Sequence, residues 1–471
     1  MNKTKVVVTV GPASKEKSIL KELVIYGMDV ARINLSHANH EFCSDIVNKI
    51  HEINEELNTN VAIMLDTQGP DIRVGEFIGG SAYFRKGETV RLYNDDVLGD
   101  STKFSVSYKN LHRDVMYNDI IKLNDGKVEM RVIDVSEEFI TLEVLNNGYI
   151  YDNKGVNVPG VHLSRPFLSE KDKKDIIFAS GLDVDFMALS FVSSAEDVLV
   201  VNDLLIEIGN DHMKLISKIE NERSLNELDE IIKVSDGVMV ARGDLGAELP
   251  PEKIPGIQKK IISKALSQGK VSIVATEMMS SMEKSITPTR AEVSDVANAV
   301  LDGCDAVMLS GETTVGKYPL ETVTMMEKII KSAEEDLDYQ NFLVTAMKTE
   351  KQDTTGLISY SAVECAIRLK AKAIVTPTMT GNTARKISRF RPSCPILAIS
   401  PDIKTVKSLA LCFGIQASLD HELDSFDKIM DLSVTTAKEF VGNQKGEKIV
   451  ITGGYPFNET KHTNFLKIEE L

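Results

Sequence analysis

The hydrophobic residues of this chain fall into short continuous runs of Val, Ile, Leu, Met and Ala. Such runs are typical of strands buried on both faces. Between them lie segments with helical spacing, for example 257–269 and 292–303. This alternation of strand and helix predicts an α/β protein built on a (β/α)8 TIM barrel. The eight runs are 5–11, 30–36, 61–67, 186–192, 214–220, 236–243, 271–277 and 306–312.

The spacing of the runs predicts two further domains. Residues 70–166 separate the third and fourth runs, contain short alternating β-like stretches, and are too long for a simple loop. We expect them to form an inserted small β-barrel lid domain, because Gly and Pro at both ends suit hinges. Residues 350–471 start a new alternation and predict a C-terminal α/β domain with a regulatory role. The barrel domain then comprises residues 1–69 and 167–345.

Polar side chains follow the predicted barrel strands. The carboxylates Glu220 and Asp244 end two neighbouring runs, and Lys218 precedes the first of them by two residues. Barrel enzymes carry catalysis at the C-terminal ends of the strands, so this pattern indicates a site for a divalent cation and a phosphate. For the pair taken alone, helix capping by the two acids is an equally good explanation. Similar residues end other runs: Arg32, Asn34, Ser36, Asp66, Thr67, Thr276, Ser310 and Glu312.

Composition narrows the class of protein. The 471 residues include 54 basic and 70 acidic side chains, a net charge of −16, which argues against nucleic-acid and anionic-membrane partners. The longest apolar stretches are far shorter than the ~20 residues of a membrane span. The N-terminal apolar run is too short for a signal peptide. Five scattered cysteines without a C-x-x-C pair favour a reducing, cytoplasmic location over disulfides or zinc.

One nucleotide motif is present only in part. Residues 311–317 have the G-x-x-x-x-G-K spacing of a phosphate-binding loop, but Tyr318 and Pro319 follow where the motif requires Ser or Thr. We therefore reject it. No G-x-G-x-x-G occurs, so a dinucleotide-binding fold has no support.

Several longer motifs, in order along the chain, resemble those of pyruvate kinases. They are VTVGPAS, RINLSH, LDTQGPDIR, SEKD, ISKIEN, MVARGDLG, PTRAEVSDVANAVLDG and MLSGET. The resemblance runs from residue 5 into the 340s and continues more weakly to the C-terminus. It implies phosphoryl transfer from phosphoenolpyruvate to ADP, giving pyruvate and ATP in the last step of glycolysis. It also implies dependence on Mg²⁺ (or Mn²⁺) and K⁺.

The resemblance implies roles for the charged residues. Glu220 and Asp244 match the Mg²⁺ ligands, and Lys218 matches the cation on the transferring phosphoryl group. Arg32 and Arg73 would also bind the phosphoryl group, since a protein catalyses phosphoryl transfer mainly by positioning the reactants and stabilising charge. The implied K⁺ ligands are oxygen donors, for which a capped helix start is the alternative at the first two positions: Asn34, Ser36, Asp66 and Thr67.

The resemblance also places the organic substrates. The substrate carboxylate would bind the backbone amides of a glycine-containing turn that opens a helix, which suits an anion, and the hydroxyl of Thr276, which otherwise caps a helix. The resemblance does not decide which group protonates the enolate. The candidates are Thr276, water, Ser310 and Glu312. The turn residues are Ala241, Arg242, Gly243 and Asp244. The nucleotide positions are Asn34, His37, Arg73 and Lys171, although His37 alone reads as a surface histidine.

The chain departs from the family pattern at several positions, none with an implied catalytic role: Gln68, Glu277, Ala38, Arg165 and Phe167. Glu277 adds negative charge near an anionic substrate. We therefore expect either a raised KM or a Lys or Arg partner for this residue.

The C-terminal region resembles the effector loop of regulated family members. Hydroxyls and amides at the start of a helix suit a phosphate, with an ordinary strand–helix turn as an equally weighted alternative: Thr378, Thr380, Gly381, Asn382 and Thr383. The loop 453–464 would contact the other end of a sugar-phosphate or AMP effector. A homotetramer is expected from the resemblance.

Two alternative functions remain open at the sequence level. One is carbon–carbon bond cleavage by enolpyruvate chemistry, as in related barrels. Arg73 and Lys171 argue against it, because these residues suit a nucleotide. The other is a metabolite sensor without catalysis, which should have lost at least one of Arg32, Lys218, Glu220 and Asp244, and the chain retains all of these.

Overall fold

A computed structural model of the chain describes residues 2–124, 126–349, 353–421, 425–442, 445–457 and 462–471. The first elements alternate strand and helix as the sequence predicts. They are β1 (Lys5–Thr9), α1 (Lys17–Ile25), β2 (Val30–Asn34), α2 (His40–Leu57) and β3 (Ala62–Asp66).

The chain then enters a β-rich segment. Its elements are β4 (Ser81–Phe84), β5 (Thr89–Tyr93), β6 (Lys103–Ser105), α3 (Leu111–Asp114), β7 (Ile120–Leu123), β8 (Val128–Val135), β9 (Phe139–Val144), β10 (Gly148–Tyr151) and β11 (Val156–Asn157). Six strands form one sheet in the order β11-β7-β8-β9-β5-β6, and β4 pairs with β10. Both sheets contribute to one hydrophobic core, separate from that of the barrel.

Strand–helix alternation resumes at residue 170. The elements are α4 (Glu170–Ser180), β12 (Phe186–Leu189), α5 (Ala195–Glu207), β13 (Lys214–Ile219), α6 (Glu222–Asn226), α7 (Leu228–Val234), β14 (Gly237–Ala241), α8 (Arg242–Glu248), α9 (Ile254–Ser267), β15 (Val271–Ala275), α10 (Arg290–Leu301), β16 (Ala306–Leu309), α11 (Gly311–Thr314) and α12 (Pro319–Glu335). Short 3₁₀ turns lie at Ile78–Gly80, Pro251–Lys253 and Ser280–Glu283.

Eight parallel strands close into a barrel in the order β1-β16-β15-β14-β13-β12-β3-β2, which confirms the predicted TIM barrel. Strand alternation divides the core into two parts. Val7 and Met64 belong to the cluster inside the barrel, whereas Val6, Val8 and Ile63 pack with the surrounding helices. Each strand ends one to three residues before its apolar run does, because the polar residues at the end of the run turn out of the ladder.

The last part of the chain forms a second α/β unit. Its elements are α13 (Tyr339–Thr349), α14 (Thr354–Leu369), β17 (Ile374–Pro377), α15 (Asn382–Arg389), β18 (Ile396–Ser400), α16 (Ile403–Ser408), β19 (Ile415–Leu419), α17 (Phe426–Val441), β20 (Lys448–Gly453) and β21 (Phe465–Glu470). The sheet order is β19-β18-β17-β20-β21, with β21 antiparallel. The C-terminal α/β fold is therefore as predicted, although residues 458–461 of the expected effector-binding loop lie outside the described residues.

Buried polar contacts join this unit to the barrel. Arg391, only 2% exposed, lies 3.0 Å from Asp305, which precedes β16. The Arg391 guanidinium also donates to the Gly303 carbonyl at 2.8 Å. Within the described part of the chain, no helix is long and apolar enough to cross a bilayer.

Candidate active site

Lys218 lies near the end of β13 and is largely buried beside two carboxylates. Its Nζ is 2.9 Å from Glu220 Oε1 and 3.5 Å from Asp66 Oδ2. It also donates a 2.8 Å hydrogen bond to Ser190 Oγ. Burial opposes the ammonium charge, but the two carboxylates outweigh it and raise the pKa of Lys218. The cation is therefore held in a fixed position at the barrel mouth.

Arg32 approaches the same point from β2. Its Nε and Nη2 donate to the two oxygens of Asp66 at 2.9 and 2.5 Å, and its Nη1 donates to Thr9 Oγ1 at 2.9 Å. Burial favours the neutral acid, yet Arg32 and Lys218 lower the pKa of Asp66. Asp66 thus carries its charge and joins two cations that are remote in sequence.

Glu220 is buried and only partly compensated. Its Oε2 accepts a 2.6 Å hydrogen bond from the Phe191 amide, while Oε1 has the Lys218 ion pair but no contact with hydrogen-bond geometry among the described residues. Burial raises the pKa of Glu220 to about 7; Lys218 opposes that shift, and Asp244 adds to it. The negative charge of Asp244 therefore acts on the same small region.

This donor set fits a magnesium ion better than a transition metal. Among the residues that the structure describes, no group of three or more His, Cys, Asp or Glu side chains converges. Mg²⁺ is commonly bound through one or two carboxylates plus substrate oxygens. Glu220 Oε1, buried and lacking a hydrogen bond, is the kind of hard donor that such an ion needs.

The turn after β14 is attached to the turn after β15. The Gly243 amide donates to Thr276 Oγ1 at 2.8 Å. A Cβ on Gly243 would stand 3.5 Å from that hydroxyl, an ordinary contact, so space alone does not demand glycine here. The Arg242 side chain bonds Asp295 at 2.6 and 2.7 Å and the Thr276 carbonyl at 2.6 Å. Only the backbone of Arg242 is therefore available to a ligand at this turn.

Ser310 and Glu312 follow β16 and have different environments. Glu312 is buried and accepts from the amides of Met279 and Ser310 at 3.0 and 2.7 Å. Both of its oxygens therefore support the backbone. Ser310 Oγ is buried and has no hydrogen-bond partner among the described residues.

The four positions matched to K⁺ lie at the ends of β2 and β3. Asn34 Oδ1 accepts from the Ser36 amide at 2.9 Å. Thr67 Oγ1 accepts from the Ser190 amide at 3.1 Å, and Asp66 is engaged by Arg32 as described. Asn34 and Asp66 are paired in the sheet register, so these oxygens occupy one region of the barrel rim.

The nucleotide positions are more exposed. His37 is exposed after β2. Lys171 Nζ donates to the Leu35 carbonyl at 3.1 Å and to Gln68 Oε1 at 2.9 Å. Arg73 instead turns toward the inserted segment, where it pairs with Asp71 at 2.6 Å and donates to the Asn153 carbonyl at 2.9 Å.

Ser190 is a site residue that sequence reasoning missed. It accepts from Lys218, and its Oγ donates to the Thr67 carbonyl at 2.7 Å. Its signal was available, since Ser190 is the one hydroxyl inside the apolar run 186–192. Gln68, which differs from the family pattern, also contributes because its side-chain oxygen accepts a hydrogen bond from Lys171.

The other departures have distinct surroundings. Glu277 is exposed and shares a cavity lining with Asp244 and Asp295, and within the described chain no Lys or Arg lies within 4.0 Å of it. The sequence predicts for Glu277 either a Lys or Arg partner or an unfavourable effect on the KM. The described residues supply no such basic partner, so the raised KM stays a prediction. Arg165 donates to the Asp71 carbonyl at 3.2 Å and lies over the Tyr108 ring, and Phe167 packs against the barrel core.

Some of the hydroxyl groups in and after the loop before α15 are already hydrogen-bonded within the protein. Thr378 Oγ1 accepts from the Gly381 amide at 3.0 Å, and Thr383 Oγ1 is 2.8 Å from Thr463 Oγ1. Gly381 adopts φ +76, a backbone conformation that favours glycine. Thr380 and Asn382 are exposed.

Comparison with known proteins agrees with this geometry. The family profile "Pyruvate kinase, barrel domain" matches residues 1–323, and "Pyruvate kinase, alpha/beta domain" matches residues 357–469. The chain is 43% identical to a pyruvate kinase of Clostridium perfringens, covering 100% of both chains. It is 41% identical to one of Clostridium acetobutylicum, covering 100% of this chain and 99% of the relative.

A solved structure is similar over the whole chain. The pyruvate kinase of Cryptosporidium parvum superposes with a TM-score of 0.94 at 37% identity, covering 100% of this chain and 96% of that one. The chain therefore belongs to the pyruvate kinase family of phosphotransferases.

Proposed function

We propose that the chain transfers the phosphoryl group of phosphoenolpyruvate to ADP at the barrel mouth, giving pyruvate and ATP. The observation that carries this proposal is the buried cluster of Arg32, Lys218, Asp66 and Glu220. Buried charges are costly unless they are paired. Glu220 keeps an oxygen without a hydrogen bond, and burial together with the nearby Asp244 raises its pKa, so a cation carried by a ligand complex would stabilise this carboxylate.

Lys218 and Arg32 act as the cations on the transferring phosphoryl group. Asp66 orients both, so neither side chain has to be ordered when the substrate binds. Preorganised charges stabilise the developing negative charge without reorganisation during the reaction.

Glu220 and Asp244 would hold Mg²⁺ (or Mn²⁺). When bound, that ion neutralises part of the charge on the phosphoryl oxygens. Asn34, Ser36, Asp66 and Thr67 would hold K⁺, for which their amide, hydroxyl and carboxylate oxygens are suitable donors.

The amides of residues 241–244 and the Thr276 hydroxyl bind the substrate carboxylate. After transfer, the enolate takes a proton at its methylene carbon through the hydroxyl of Thr276 or Ser310. Ser310 Oγ is buried and has no hydrogen-bond partner among the described residues, which supports Ser310 as a proton donor. Glu312 serves instead as a positioning residue, since both its oxygens hold amides.

ADP binds through Asn34, His37, Arg73 and Lys171. Arg73 belongs to the inserted domain, which we delimit at residues 70–166, so closure of this domain over the barrel (1–69 and 167–345) completes the nucleotide site. The C-terminal domain (350–471) would take a sugar phosphate or AMP at Thr378, Thr380, Gly381, Asn382 and Thr383. A homotetramer and a cytoplasmic location complete the proposal, the latter supported by five free cysteines.

An assay of pyruvate release from phosphoenolpyruvate, with and without ADP, tests the function. We expect pyruvate only with ADP and Mg²⁺, with one ATP formed per pyruvate. Products formed without ADP would indicate carbon–carbon cleavage, and tight binding of phosphoenolpyruvate without turnover would indicate a sensor. Either result would overturn the proposal.

A further inference from the structure

A cavity of about 250 Å³ lies between the N-terminal ends of the barrel strands and the C-terminal domain. On the barrel side its lining includes Lys214, Asp236 and Lys270. On the other side it includes Arg385 and Lys386 of α15. A smaller neighbouring cavity shares Asp236, Lys270 and Arg385. We call these five residues and the space between them the basic cleft.

The charge of the basic cleft is opposite to that of the chain. Four of its side chains are Lys or Arg and one is Asp, whereas the whole chain has 54 basic and 70 acidic residues. A concentration of cations inside a small cavity of an acidic protein is not explained by average composition. A concave, positively charged site favours a small anion.

Lys214 and Lys270 are only weakly compensated within the basic cleft. Lys214 Nζ lies 3.7 Å from Asp236 Oδ1, and Asp236 Oδ2 accepts from the Leu215 amide at 3.0 Å. Lys270 donates to the carbonyls of Lys233 and Ser235. Burial lowers the pKa of Lys270; Asp236 opposes this, and Arg385 and Lys214 add to it. A bound anion would remove the repulsion.

Arg385 is held in place by neutral groups. Its Nη1 donates to the Thr380 carbonyl at 2.8 Å and its Nη2 to Ser408 Oγ at 2.7 Å. Within the described residues, no carboxylate lies within 4.0 Å of Arg385 or Lys270. The guanidinium is therefore ordered without being neutralised, which is the condition for binding an anion at little entropic cost.

The basic cleft lies away from the active site and borders the effector loop, because its lining includes Asn382 and Arg385 donates to the Thr380 carbonyl. Lys214 begins β13 and Lys218 lies four residues further along it, so the two Cα atoms are about 13 Å apart. The lining of the larger cavity includes Asn382 but none of Thr378, Thr380 and Thr383. Thr383 faces Thr463 instead.

We propose that the basic cleft binds the phosphate group of a phosphorylated small molecule, with Lys214, Lys270 and Arg385 as its ligands. A phosphate dianion presents several strong acceptors to cations that approach from different directions. The cavity volume suits one small molecule and is too small for a polymer. The site joins the strand that carries Lys218 to the C-terminal domain, and its occupancy does not depend on the proposed catalysis.

Calorimetric titration of the full chain with pyrophosphate tests the proposal, with EDTA present and at constant ionic strength. We expect saturable binding that weakens about tenfold or more in Lys214→Gln and in Arg385→Gln, because each loses a charged contact to phosphate. Lys270→Gln should behave alike. Lys270 also donates to two backbone carbonyls, so the Lys270→Gln variant could fail to fold for that reason alone. Lys214→Gln and Arg385→Gln test the proposal without this complication.

Three controls locate the binding. Lys233→Gln removes an exposed lysine of α7, so an equal loss of affinity there would show diffuse attraction and overturn the proposal. Lys218→Met and Thr380→Ala alter the two other proposed phosphate sites, so neither should remove the binding component that is lost in Lys214→Gln and Arg385→Gln. Binding lost in either of these, but kept in Lys214→Gln and Arg385→Gln, would assign it to the active site or the effector loop. No binding to the wild-type chain would also refute the site.

Discussion

Asp66 accepts hydrogen bonds from Arg32 through both of its carboxylate oxygens, at 2.9 and 2.5 Å, across neighbouring barrel strands. The same carboxylate lies 3.5 Å from Lys218. One acid thus holds two cations from β2 and β13 at a single point. This arrangement makes Asp66 a structural centre of the proposed site as well as a proposed ligand of K⁺.

Asp66→Asn should destabilise the chain, because two buried cations lose their shared charge partner. We expect the free energy of unfolding, measured in urea, to fall by about 3 kcal/mol. The matched control is Asp45→Asn, which removes an exposed acid paired with Lys49 and should cost less than about 1 kcal/mol. Equal stability of the two variants would contradict the structural importance of the Asp66 contacts.

Lys218→Met should reduce turnover by about 10³-fold or more, because it removes a buried cation from the transferring phosphoryl group. Pyruvate release measures the effect, and circular dichroism checks the fold. Lys233→Met, at an exposed lysine, should retain the wild-type rate. Near-normal turnover of the folded Lys218→Met protein would remove this residue from the mechanism.

Activity should require a monovalent cation of the size of K⁺. The oxygens of Asn34, Ser36, Asp66 and Thr67 stand at one edge of the barrel, close to the proposed phosphoryl site. Replacing K⁺ by Na⁺ at constant ionic strength should reduce turnover to a small fraction. Undiminished turnover in Na⁺ alone would argue against a K⁺ site at these residues.

Glu277→Gln should lower the KM for phosphoenolpyruvate by about two- to fivefold, because it removes an exposed negative charge beside the proposed carboxylate site. The kcat should change little, since Glu277 has no proposed role in the chemistry. Steady-state kinetics compare it with Glu335→Gln, an exposed acid on α12. A KM that stays constant, or that falls equally in both variants, would show that Glu277 does not repel the substrate.

Asp185 should make stability depend on pH. Burial raises the pKa of this carboxyl from 3.8 to about 6, against the opposing effect of Lys407. The folded chain then binds more protons than the unfolded chain between pH 4 and pH 6. The free energy of unfolding should therefore fall by up to about 3 kcal/mol as the pH rises through this window.

Asp185→Asn separates this effect from that of other acids. The amide oxygen can still accept from the Ile63 amide, which donates to Asp185 at 2.8 Å. Calorimetry at pH 4 and pH 7 should show the variant gaining stability relative to wild type as the pH rises. A difference between the two proteins that is the same at both pH values would disprove the raised pKa.

The strands and the acids at their ends were predictable from sequence because each depends on local pattern. A run such as 5–11 is short, rich in Val and followed by a helix, so it predicts a buried strand without knowledge of its neighbours. The rule that parallel strands meet at one barrel face then brings Lys218, Glu220 and Asp244 to a common end. The exact strand ends were less predictable, because the last residues of each run belong to the site loops.

The sequence by itself determined the barrel, the inserted β-rich segment, the C-terminal α/β unit and the family of this protein. Only the tertiary structure decided that Asp66 pairs with Arg32, that Ser190 accepts a hydrogen bond from Lys218 and that Arg242 forms an ion pair with Asp295. It also brought Lys214 and Lys270 opposite Arg385. The physical reason is that these contacts join residues far apart in the chain, where the choice of partner depends on packing in three dimensions and leaves no periodic signal in the sequence.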